Sequence, residues 1–276
     1  MAERFLRHPG AVITDILEGF GNFIVFCWQT LMWAVRDSLN LRRWALVLPQ
    51  LYEVGTKSIP VIMLTGAFIG MVLAVELFAQ FEAFGQETQI GGVTAISVVK
   101  HLGPVLAGVM LAGRVGGAFA AELGTMAVTE QIDALRVMGA APVSYLVVPR
   151  VVACVIMIPI LTVFSNLLGV AGSWAITVGM MGVTNAEYWV GCARFVGLWD
   201  INVGLMKSLF FGVSIGLICC YKGFHSTKGA QGVGRATTNA FVTSFVTIIV
   251  LNFFLAKLAN DLKTVIFGYQ DFVPLG

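Results

Sequence analysis

VVACVIMIPILTVFSNLLGVAGSWAITVGMM, residues 151–181, runs for 31 positions without one Asp, Glu, Lys or Arg. A helix rises about 1.5 Å per residue, so the run would be roughly 46 Å long. A bilayer's hydrocarbon core is about 30 Å thick and is crossed by about 20 apolar residues. The run is too long for one upright crossing and too short for two. This predicts a single tilted or kinked span with Pro159 at the bend.

Four more segments read as spans on either side of it. The predicted set is 59–80, 93–119, 151–181, 203–221 and 240–257. The first carries Glu76 as its only charge, the second is interrupted by Lys100, His101 and Arg114, the fourth holds only Lys207, and Lys257 closes the fifth. Composition agrees. The chain is 58% hydrophobic and 12% charged, with a mean hydropathy of +0.87. Soluble domains are about 45–50% apolar and about 25% charged, so a soluble enzyme, a nucleic-acid binder and a disordered chain are excluded as classes. A net charge of +2 is too small to imply a polyanionic partner.

Residues 11–35 are apolar in a different way. Ile13, Ile16, Leu17, Phe20, Ile24, Cys27, Trp28, Leu31 and Val35 recur at helical spacing, while Asp15, Glu18, Asn22 and Gln29 fall on another face. That pattern predicts a helix lying in the membrane interface; a sixth, polar-faced span is the alternative. Lys and Arg set the orientation. With the N-terminus inside, Arg4, Arg7, Arg36, Arg42, Arg43, Lys57, Arg136, Arg150, Lys222, Lys228 and Arg235 make eleven cytoplasmic positives, against Arg194 and Lys263 outside. The expected layout is a cytoplasmic N-terminal segment over residues 1–58, a five-span domain over 59–258 and an outside tail over 259–276. Asp15 and Glu18 argue against a cleavable signal peptide. Cys27, Cys154, Cys192, Cys219 and Cys220 lack metal-ligand spacing and read as small hydrophobes, with Cys192 alone in an outside loop.

Small residues form the first functional signal. Gly108, Ala112, Gly116, Ala120 and Gly124 recur every four positions, beside a second stripe of Gly113, Gly117 and Ala121; Gly66, Gly70 and Ala74 repeat the device in span one. Such stripes let helices approach closely in lipid, within one bundle or between subunits. Spans one and two are therefore expected to be packed rather than lipid-facing. The second signal is AELGTMAVTEQIDALRVMGAAP, residues 121–142. Here Glu122, Thr129, Glu130, Gln131, Asp133 and Arg136 supply polarity. Thr129 is placed to cap a short amphipathic helix with Ile132, Leu135 and Met138 on one side.

The segment GRVGGAFAAELGTMAVTEQIDALRVMG, followed by PRVVA at 149–153, resembles the signature of the MlaE-type permeases. GAFIGMVLA (66–74), LGP (102–104) and GVGRATTNAFV (232–242) are similar to other blocks of that pattern in the same order. Proteins of that family are membrane subunits of ABC systems that move phospholipids between the inner and outer membranes of Gram-negative bacteria. The resemblance implies an all-α integral membrane protein of five transmembrane helices, with the N-terminal interfacial helix and a cytoplasmic coupling helix. It implies a homodimer on two cytoplasmic ATPase subunits, a periplasmic ring of MCE-domain lipid-binding proteins over the 81–92 and 182–202 loops, and residence in the bacterial inner membrane with a periplasmic C-terminus. Glu122, Thr129, Glu130, Gln131, Asp133, Leu135, Arg136 and Met138 then belong to the ATPase-coupling segment. Phospholipid would occupy a dimer-interface pocket lined by Leu73, Leu77, Gln80, Phe81 and Phe84.

Family members usually carry Glu just before LGP, and Lys100-His101 stands here. Ionisable groups inside a span are functional candidates. Lys100 and His101 are expected to pair with Glu76 or to meet a lipid phosphate. The chain holds no G-x-x-x-x-G-K-[ST], HExxH or GxSxG motif. The expectation is no catalytic residue, no metal and no directly bound cofactor, with ATP acting through the partner. The alternative from another class is a secondary transporter or channel using Glu76, Lys100 and His101 as an ion path; an intramembrane enzyme lacks a catalytic constellation.

Overall fold

In the computed structural model, residues 9–37, 41–227 and 229–267 are described. Arg4, Arg7, Lys228 and the tail 268–276 lie outside the described residues, as do the side chains of Ile13, Asp15, Ile16, Arg42 and Arg43. The described chain is helical and contains no strand. In order come α1 (Pro9–Asp37), α2 (Leu41–Val54), α3 (Ile59–Ala83), α4 (Ile90–Ser97), α5 (Gly103–Leu111), α6 (Gly117–Val128), α7 (Gln131–Val137), α8 (Val148–Gly179), α9 (Asn185–Phe195), α10 (Leu198–Phe224) and α11 (Ala230–Phe267). Five stretches are long and apolar enough to cross a membrane: Trp44–Ala83, Glu87–Val128, Val143–Gly179, Leu198–Phe224 and Ala230–Ile266.

The 151–181 run is one helix, with Pro159 inside α8. The second span is a composite. Its α4, α5 and α6 are joined by two wide turns with i→i+5 bonding, Val98–Leu102 and Ala112–Gly116, and a third wide turn, Val143–Val147, precedes α8. Wide turns of this kind insert one residue and rotate the side chains that follow. Here the first two carry Lys100, His101 and Arg114.

α8 and α10 form the centre, with α3 on the outer side of α8 and α11 on the outer side of α10 and α6. The stripe Gly108, Ala112, Gly116, Ala120, Gly124 is buried throughout. Gly108 faces Phe211 and Ile248, Gly116 faces the Cys219 thiol, and Gly223 of α10 rests on Ala120. This stripe packs the interior of one chain. The second stripe is not buried, and a Cβ on Gly117 would meet open space.

Span one departs from expectation. Only the seam Ile62, Gly66, Gly70, Ala74 is buried, while Leu64, Phe68, Val72 and Val75 are exposed. The small residues lie on one side of α3, so one side alone can approach α8, and the remaining apolar surface faces outward. The seam itself is very close. A Cβ on Gly70 would fall 1.8 Å from the Gly169 carbonyl oxygen, and one on Gly172 would fall 2.3 Å from that of Ala67.

α1 is a single helix outside the five spanning stretches. It docks by Phe23 and Phe26 against Tyr221, with Phe26 also reaching Phe224. Leu17, Phe20, Ile24, Trp28, Leu31 and Val35 remain exposed. α9 is opened by Thr184 and Glu187, each side chain bonding the other's backbone N–H, a reciprocal cap. It closes over α4, where Gly91 and Gly92 admit Tyr188 and Phe195. All five cysteines are unbridged; Cys192 is buried with its thiol on the Gly91 carbonyl at 3.3 Å.

Gly70→Val would drive two branched methyls into the α8 backbone. Overpacking of this kind costs about 1–3 kcal/mol, so the melting temperature in detergent should fall clearly. Gly179→Ala, where nothing lies within 4 Å, should leave it unchanged.

Candidate functional site

Three groups of side chains carry more than packing. The first is a face of α3. Leu73, Glu76, Leu77, Gln80 and Phe81 stand at i, i+3, i+4, i+7 and i+8, which is one face of a helix, and Phe84 caps its end. Leu73, Leu77 and Phe81 are half-buried, Glu76 and Gln80 are exposed, and Phe84 is 81% exposed. The five residues expected at the pocket, Leu73, Leu77, Gln80, Phe81 and Phe84, thus lie together with Glu76 beside the seam to α8.

The second group is buried. Lys100 Nζ lies 3.1 Å from Asp200 Oδ1, and Asp200 Oδ2 accepts from the Gly197 N–H at 3.4 Å. Lys207, only 1% exposed, donates to the Lys100 carbonyl at 3.2 Å and lies 3.4 Å from His101 Nδ1. An ammonium has no lone pair, so the ring nitrogen must be the acceptor in that contact.

Backbone chemistry explains why a lysine is needed there. At the wide turn the Gly103 N–H goes back to the Val98 carbonyl. The next donor along the helix would be residue 104, and Pro104 has no N–H. The Lys100 carbonyl therefore lacks its i+4 partner inside the membrane, where an unpaired backbone group costs several kcal/mol. Lys207 supplies the donor from α10. Gly204, one turn earlier, allows α10 to come this close, since a Cβ there would lie 2.4 Å from the Val99 carbonyl oxygen.

This overturns two expectations. Lys100 pairs with Asp200 and not with Glu76, which stands exposed on α3. The ion path anticipated from Glu76, Lys100 and His101 is not assembled. Asp200 and Lys207 were the residues missed. Lys207 as the sole charge of an apolar run, and Pro104 four positions after Lys100, were the signals that could have found them. Beside this cluster, α8, α9 and α10 leave an apolar cleft of about 380 Å³ lined by Val99, Val163, Leu167, Trp174, Trp189, Ile201 and Leu205, among others.

The third group is the turn from α6 to α8. Thr129 does not cap α7. Its hydroxyl donates back to the Thr125 carbonyl at 2.8 Å, as a helical threonine often does. The residue before α7 is Glu130, at φ 61°, the one non-glycine among the described residues with positive φ. Within α7, Ile132 is buried and Leu135 packs against the core, so the chain itself satisfies that side. Met138 is not with them; it is 72% exposed, next to Val137 at 89%. Gln131 is exposed, and Asp133 and Arg136 form an exposed pair at 2.8 Å. Glu122 instead meets Arg150 at 2.9 Å. Arg114 donates to the Ser58 hydroxyl, which itself donates to the Val54 carbonyl.

Outside the spans, burial raises the Tyr188 hydroxyl well above its ordinary pKa, keeping it a donor to the Val170 carbonyl at 3.0 Å. Burial likewise raises the Cys192 thiol, which makes it a poor nucleophile.

Lys207→Met should destabilise the protein by about 2 kcal/mol or more through the orphaned carbonyl. Adding Pro104→Ala restores a backbone donor. The double variant should therefore be more stable than the sum of the two single changes by about 1 kcal/mol in a double-mutant cycle; strict additivity would refute the assignment.

Known proteins resemble this chain over most of its length. The family profile described as Permease MlaE matches residues 47–258. A probable ABC transporter permease protein of Synechocystis sp. is 43% identical over 230 residues, 83% of this chain and 86% of that protein. A probable ABC transporter permease protein of Rickettsia conorii is 39% identical over 241 residues, 87% and 92% of the two chains. The Arabidopsis thaliana protein TRIGALACTOSYLDIACYLGLYCEROL 1, chloroplastic, is 40% identical over 214 residues, 78% of this chain and 61% of that protein.

Proposed function

This chain belongs to the MlaE permease family, and from that membership we propose that it moves phospholipid between two membranes. It is a multi-pass ABC-transporter permease subunit and not itself the ATPase; an ATPase partner follows from that class. The lipid reading is supported by the plant relative, whose name is that of a glycosylated diacylglycerol.

The observation that carries the reading is the exposed end of α7. A short helix outside the spanning stretches presents Val137 and Met138 to solvent beside Asp133 and Arg136. Two apolar side chains framed by charges form a protein-docking surface, here for the ATPase. Gln131 and Glu130 extend it; Leu135 supports it from inside.

The remaining elements of the proposal rest on the α3 face and on charge. Leu73, Leu77, Phe81 and Phe84 suit acyl chains, and two such faces would enclose a lipid in a homodimer, with Glu76 and Gln80 near its polar end. Lys100 and His101 brace the second span against the fourth and hold the wall of the bundle rather than the acyl chains. α1 is read as lying in the interface: Phe23 and Phe26 hold it to the bundle, and among the described residues Leu17, Phe20, Ile24, Trp28 and Leu31 stand exposed. The basic excess supports a cytoplasmic N-terminus and α7, and the family reading supports residence in a bacterial inner membrane. α9 and the start of α4 then face the periplasm, where an MCE-domain protein would collect the lipid.

Two variants test this. Val137→Asp with Met138→Glu should leave the melting temperature unchanged, since both residues are exposed, while abolishing co-purification of the ATPase. Retained association would place the docking surface elsewhere. Leu77→Arg should keep the ATPase bound and lower ATP-dependent phospholipid transfer in proteoliposomes about tenfold or more, as it puts a charge on the apolar face assigned to acyl chains.

A further inference from the structure

Arg150 stands at the first turn of α8 and is buried, 8% exposed. Its Nη1 donates to the Leu146 carbonyl at 2.7 Å, within the wide turn Val143–Val147. Its Nη2 donates to Glu122 Oε2 of α6 at 2.9 Å, and the guanidinium lies 5.6 Å from the centre of the Phe119 ring. Three contacts thus join the helix that leads into α7, the turn that leads out of it, and the long central span. A buried guanidinium needs a counter-charge, and Glu122 provides it. Glu122 lies about two turns before the Glu130 corner, and its carboxylate is turned to Arg150 rather than to the exposed α7 surface.

From this juxtaposition we propose that Arg150 and Glu122 are positioning residues that convert displacement of α7 into displacement of α8. The inference rests on the reading of α7 as the ATPase-docking helix. α7 has only seven residues and turns sharply at Glu130, so a push on it passes along the chain through α6 or the 138–147 segment, besides the packing of Ile132 and Leu135 on the core. Arg150 holds both of these to α8. α8 in turn carries α3 by backbone contact at Gly66–Ser165 and Gly70–Gly169, and α3 bears the apolar face assigned to lipid. Each step is a contact without compliant side chains, or a charge-assisted hydrogen bond, which is a stiff path for motion.

The test is Glu122→Gln, at a half-exposed position where folding tolerates the change, in the complete complex of permease and ATPase. ATPase co-purification and basal ATP hydrolysis should match wild type. Phospholipid transferred per ATP hydrolysed should fall about fivefold or more, the size of a typical coupling between sites. The exchange Glu122→Arg with Arg150→Glu should recover some of that loss. Unchanged transfer per ATP would overturn the proposal, as would loss of ATPase binding in Glu122→Gln, which would make Glu122 a docking contact. If wild-type permease fails to bind the ATPase, the proposed function fails instead, a result distinct from both.

Discussion

The contact between α3 and α8 is the constraint on which the rest depends. With Gly70 over Gly169 and Gly172 over Ala67 there is no space for a single added methyl. In lipid no hydrophobic force drives two apolar helices together, so close backbone contact must hold them. The consequence is asymmetry. Gly66, Gly70 and Ala74 of α3 are used on one side, and large residues such as Phe68, Leu73 and Leu77 are left to line whatever lies beyond the monomer. A helix anchored along one seam and apolar elsewhere can be moved as a unit with α8 and still present a continuous greasy surface.

The same rule, that polar backbone groups must be satisfied inside the membrane, accounts for the buried charges. The wide turn at Val98–Leu102 and Pro104 together break the ladder of the second span. Lys207 repairs the break from the fourth span, and Asp200 balances Lys100 beside it. Lys207 and the Lys100–Asp200 pair are the means by which an interrupted helix is held to its neighbour; replacing Lys207 by an apolar residue would orphan the Lys100 carbonyl, and replacing Lys100 would leave Asp200 without its counter-charge.

Much of this was legible from residue spacing. Apolar, charge-poor runs of the right length located five spans, and the four-residue stripe from Gly108 to Gly124 was readable as packing because its spacing matches a helical ridge. Leu73, Leu77, Gln80, Phe81 and Phe84 were named from the family resemblance, and their spacing along α3 puts them on one side of that helix. What escaped was decided in three dimensions. Glu76 and Asp200 are equally plausible partners for Lys100 in one dimension; only the stacking of α10 on α5 brings Asp200 near. Thr129 has the residue type of a cap, yet α6 continues through Val128, and the Thr129 hydroxyl is already used within that helix. Met138 falls in register with Ile132 and Leu135, but α7 ends at Val137 and the chain turns away before Met138 can follow.

On the proposed reading, this permease carries phospholipid along α3 at the expense of ATP hydrolysed by another subunit. The most direct measurement places the permease and its ATPase in donor vesicles holding a labelled phospholipid, and follows transfer to acceptor vesicles or to an MCE-domain protein. Transfer that requires ATP and both subunits, and that stops with a non-hydrolysing ATPase, is the predicted result. Transfer by the permease alone under an ion gradient, or ATP hydrolysis without any movement of lipid, would contradict it.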